Sequence, residues 1–114
     1  MSSRMRQLLL EGLEDHLQLW WLLPDRDDVP NPEDRRRDVL QLVEEMLASG
    51  WFEAGFPKSN GREFDPWPSS AQEAVARIAR DWDSLGREPN IGDIAWFNLT
   101  PIGEAEARKY AARA

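Results

Sequence analysis

The chain contains no cysteine. That excludes disulfides, thiolate metal sites and a cysteine nucleophile, and nothing demands an oxidising compartment. Histidine occurs once, as His16, and Asp15, Glu11 and Gln18 around it form no triad spacing. No serine lies in a nucleophile-elbow context, and no glycine-rich loop has phosphate-binding spacing. The chain is therefore expected not to be an enzyme and to need no metal or cofactor. Long apolar runs are also missing. The longest, Leu19 to Leu23, falls far short of the roughly 20 residues that cross a bilayer. At the start, Leu8–Leu10 run straight into Glu11 without a small-residue cleavage site, unlike a signal peptide. The expected location is the cytoplasm, with no membrane partner.

What is present is acidic. Among 114 residues, 21 acids face 14 basic residues, for a net charge of −7. Such a charge repels phosphate backbones and favours basic protein partners or simple solubility. Arginine outnumbers lysine by 12 to 2, a usage that fits a GC-rich bacterial or phage genome. The length suits one domain, residues 1–114, with an ordinary hydrophobic core.

Periodicity places the elements. Met5, Leu9, Leu13, His16, Leu17 and Trp20 recur at helical spacing after Ser2 or Ser3, either of which can cap the helix, with Gly12 a point of division in the stretch and Pro24 ending it. Asn31-Pro-Glu-Asp34 is a helix start, with a cap, a proline at the first position and two acids at the positive end of the dipole. Val39, Leu40, Val43, Met46 and Leu47 line that helix, and Ser49-Gly50 stops it. Trp51–Phe56 and Ile94–Leu99 read as strands, and Lys58–Pro68 reads as turns. Ser70-Ala-Gln-Glu73 is a capping box that opens a helix ending at Gly86. Thr100-Pro101 opens the last helix.

Two stretches carry a resemblance. Asp38–Gly55, a helix that ends in a small residue and glycine before a strand enters at once, resembles the third helix and first wing strand of winged-helix domains. Trp96–Gly103, with its Leu-Thr-x-x-Gly step, resembles the closing wing strand and entry to the C-terminal helix in bacterial winged-helix regulators. Together they cover about 26 of 114 residues. The resemblance implies an α+β, mostly helical fold with four to five helices and a two-stranded antiparallel hairpin. The chain departs from that pattern by about 38 residues, a whole helix included, between Phe56 and Ala95.

Three groups of residues are candidates for function. Arg35, Arg36 and Arg37 lie on the helix that the resemblance makes a recognition helix, where they could reach guanine edges or phosphates. Consecutive residues point about 100° apart, however, and Glu33, Asp34 and Asp38 flank them. The adjacent Trp20 and Trp21 cannot both face one core from a helix, and Trp67 lies between two prolines. These three tryptophans are candidates for a protein interface, because aromatic side chains bury large areas at low entropic cost. Asp25, Asp27 and Asp28 lack the calcium-loop pattern, and Glu44, Glu45 and Glu53 read as exposed acids. The favoured expectation is a non-catalytic module that binds another, basic protein, in the manner of an immunity or antitoxin protein. A winged-helix DNA-binding regulator is the alternative. The Ala-rich last helix could serve a homodimer.

Overall fold

Ser2 accepts a hydrogen bond from the Met5 N–H and so caps the first helix, α1, Ser3–Glu14. The computed structural model describes residues 2–112. Met5, Leu8 and Leu9 are buried on the inner face of α1. The helix ends earlier than its apolar spacing predicts. Leu17–Gln18 instead form a short strand, β1, and Leu19–Leu22 a single 3-10 turn. Gly12 does not divide α1. It lets the helix lie against the sheet, since a Cβ there would come within 2.8 Å of Leu99 Cγ.

Helix α2, Pro32–Ala48, starts where the sequence places it, with Asn31 accepting from the N–H groups of Glu33 and Asp34. Val39, Val43 and Met46 are fully buried along it. Strand β2, Phe52–Pro57, follows at once. Strand β3, Phe64–Pro66, lies inside the stretch expected to be turns. The capping box at Ser70 then opens α3, Ala71–Leu85, closed by Gly86 in the left-handed region. Strand β4 covers Trp96–Leu99, and α4 covers Pro101–Ala111. The strand expected from Ile94 starts two residues later because Ile94 has φ +68°, which breaks extended backbone and is rare for a β-branched residue.

Among the described residues the fold is α+β, with four α-helices and one antiparallel sheet in the order β1-β4-β2-β3. The sheet has four strands, not the expected two. A two-residue β1 shows no alternation to read, and β3 is short, ends on a proline and sits among turn formers. One row across the sheet is Leu17, Phe97 and Ala54, all buried. The alternate row is Gln18, Trp96, Gly55 and Pro66. Period-2 alternation puts those rows on opposite faces, so Gln18 points away from the core. Helix α1 packs chiefly on α4, and α2 on α3.

Candidate functional site

The Arg35–Arg37 cluster is dispersed by the fold. Arg35 is 4% exposed. Its Nε donates to Glu88 Oε2 at 2.8 Å, and its Nη1 donates to the carbonyls of Pro24 at 2.8 Å and Val29 at 3.0 Å. That guanidinium ties the loop before α2 to the loop after α3, as only a planar fork of donors can. Arg36 reaches across to α3, to the Ala79 carbonyl and the Asp83 carboxylate. Arg37 remains exposed and pairs with Asp34 at 3.1 Å and Asp38 at 3.5 Å. The three arginines therefore meet different partners, and acids neutralise each of them.

The tryptophans divide as well. Trp67 follows β3 at one edge of the sheet, whereas Trp20 and Trp21 follow β1 at the other. Trp67 folds back over the sheet. Its ring meets Phe56 edge-on at 5.8 Å, and the Arg77 guanidinium sits 3.8 Å above it. The indole nitrogen of Trp67 is buried with no hydrogen-bond partner among the described residues.

Trp20 and Trp21 form a different surface. On the 3-10 turn the two rings, both half-buried, stand at an angle of 68° with centroids 6.0 Å apart. Trp21 also packs against the core. Trp20 Nε1 donates to Gln18 Oε1 at 3.0 Å, and the same oxygen accepts the Gly92 N–H at 2.8 Å. One outward-facing side chain of β1 thus fixes the ring of Trp20 and the loop before β4. That loop is itself braced. The Asp93 carboxylate accepts from Arg87 and from the Asn90 N–H, both at 2.8 Å. These bonds, led by the Arg87 side chain, hold the Asp93 carboxyl below the usual carboxylate range.

Beside the two rings runs a groove of about 630 Å³, lined by Arg4, Gln7, Glu11, Glu14, Asp15, Trp20, Trp21 and Leu23. Arg4, Gln7, Glu11 and Glu14 recur at three- and four-residue steps, so they form one stripe of α1. This stripe is one wall and the tryptophan turn is the other. Arg4 stitches the walls together, its Nη2 donating to the Trp21 carbonyl and its Nη1 to Gln7 Oε1, both at 3.1 Å. The volume lies within the range of ligand clefts.

The sequence singled out both tryptophans but missed the groove. Its signal was the polar stripe of α1, which reads on its own as a solvated face. His16, half-buried, lies with its ring 5.2 Å from that of Phe64. Among the described residues, no group of three or more His, Asp or Glu side chains is placed to hold a metal ion. No described helix is long and apolar enough to cross a membrane. No known protein family, curated protein or solved structure matches the chain.

Proposed function

We propose that this chain is a non-catalytic protein-binding module that receives a segment of a basic partner protein in the groove between α1 and the Trp20–Trp21 turn. The groove carries the reading. Two half-buried aromatic side chains border it, the ring of Trp20 fixed by a hydrogen bond to Gln18 and that of Trp21 by packing on the core, with three carboxylates and a single arginine around them. Large amphipathic rings that are already fixed lose little entropy on binding. The net charge of −7 steers a basic partner toward such a surface. An immunity- or antitoxin-like role in the cytoplasm, an acidic protein covering a basic one, is the specific form we favour.

We further propose a winged-helix-like architecture. Three observations support it. Helix α2 passes through Gly50 directly into β2, β2 pairs with β4, and Thr100 turns β4 into α4. The same observations favour DNA binding as the second reading. Against it stand the neutralised arginines and α3, which lies on α2 and holds Arg36.

Affinity capture with wild type, Trp20→Ala and Arg37→Ala separates the two readings. We expect a basic protein to be retained by wild type and Arg37→Ala and lost by Trp20→Ala. Retention by Trp20→Ala contradicts the groove. Binding of mixed DNA fragments that weakens steeply with salt and is lost in Arg37→Ala would favour the regulator instead.

A further inference from the structure

We propose that the groove reads its protein segment by charge order, with a cationic side chain at the C-terminal end of α1, apolar side chains against Trp20 and Trp21, and a neutral or acidic side chain at Arg4. This rests on the protein-binding reading above and specifies the segment that the groove accepts.

The rings of Trp20 and Trp21 stand 68° apart and both line the groove. Aliphatic side chains, or the stem of an arginine, pack well on such a surface, and a cation placed over a ring face is attracted to it. The ring of Trp20 is held by Gln18, which the Gly92 N–H also holds, so this surface exists before the partner arrives.

The α1 wall gives the groove its polarity. Glu11 and Glu14 occupy the last turn of α1 with Asp15 as its C-cap, and that last turn carries no basic residue. Carboxylates there face the negative end of the helix dipole, an unfavourable placement. None of the three makes an ion pair among the described residues, while eleven ion pairs form elsewhere in the chain. At the other end, Arg4 meets only the neutral oxygens of Gln7 and Trp21 among the described residues. The groove is thus positive at one end and negative at the other. Arg4 and Glu14 are ten residues apart on a helix, a span of about 15 Å. An extended segment of about five residues covers that distance. A cation at the acidic end meets three carboxylates that have no cationic partner among the described residues, Glu11 accepting only from the Gln7 amide and Asp15 only from the His16 N–H.

The test uses the peptide acetyl-Glu-Ala-Leu-Leu-Arg-amide, fluorescein-labelled, and a twin in which citrulline replaces arginine. Citrulline keeps the shape and removes the charge. Binding to the full chain is read by anisotropy at low salt. We expect the arginine peptide to bind about fivefold more tightly, the upper ratio for a solvent-accessible charge contact. In Glu14→Lys the two peptides should bind alike. The same substitution should raise Tm by about 3 °C, because a cation replaces an anion at the helix C-terminus. A merely structural role for Glu14 would not couple a more stable fold to a lost preference. Equal binding of the two peptides to wild type overturns the inference and leaves a groove that takes apolar segments. Preference for arginine surviving in Glu14→Lys also overturns it. So does binding of neither peptide, although a partner captured through Trp20 would then still sustain the broader reading.

Discussion

Arg35 shows how a single side chain can look like a binding residue and act as a structural one. In the sequence it stands among three arginines at a helix start. In the fold it is buried, and its donors meet one carboxylate and two backbone carbonyls. Removing it leaves Glu88 and the carbonyls of Pro24 and Val29 without that partner. Arg35→Ala should cost about 3 kcal/mol in urea unfolding, whereas Arg37→Ala, whose pairs are exposed, should change stability by less than about 0.5 kcal/mol. Equal effects would refute the assignment. Asp93 is a second residue-scale case, this time through protonation. Its folded-state pKa is depressed, foremost by the Arg87 side chain and next by the Asn90 N–H. A depressed carboxyl stabilises the fold above its unfolded pKa, and that stability is lost as pH falls through the folded value. Thermal melts from neutral pH downward should therefore favour wild type over Asp93→Asn at neutrality. The difference should vanish on the acid side of the usual carboxylate range.

At the scale of elements, the helices were legible and the sheet was only half so. Asn31, Ser70 and Thr100 announce their helices because each accepts a hydrogen bond from a backbone N–H at the helix start. β2 and the main part of β4 are legible as aromatic runs, whereas β1 and β3 are too short to show alternation. The turn at Leu19–Leu22 was hidden by an apolar spacing that also suits a helix. The Leu-Thr-x-x-Gly step has a physical cause. The Thr100 hydroxyl donates to the Gly50 carbonyl at 2.6 Å, and the Thr100 N–H donates to the Trp51 carbonyl at 2.9 Å. That close approach leaves no room at Gly103, where a Cβ would collide with the Trp51 carbonyl oxygen. Gly103→Ala gains about 1 kcal/mol of helix propensity. We nevertheless expect a net loss of about 1–2 kcal/mol, as α4 is forced off the β2 entrance. A urea midpoint at or above wild type would show that α4 yields freely.

For the whole molecule, the distribution of charge matters more than its total. Each of the arginines placed on the would-be recognition helix has an acid partner. The carboxylates Glu11, Glu14 and Asp15, which make no ion pair among the described residues, instead gather beside the two tryptophans. Sequence reading supplied the sign of the charge and both tryptophans. It could not supply their meeting, because Glu11 and Trp21 come together only when the chain turns back at β1. The most direct measurement is a titration of ¹⁵N-labelled protein with the arginine-bearing peptide, following the indole N–H signals. The account predicts that the signals of Trp20 and Trp21 move together and saturate, while those of Trp67 and the buried Trp82 stay in place. Shifts centred on Trp67, or none at any tryptophan, would contradict it.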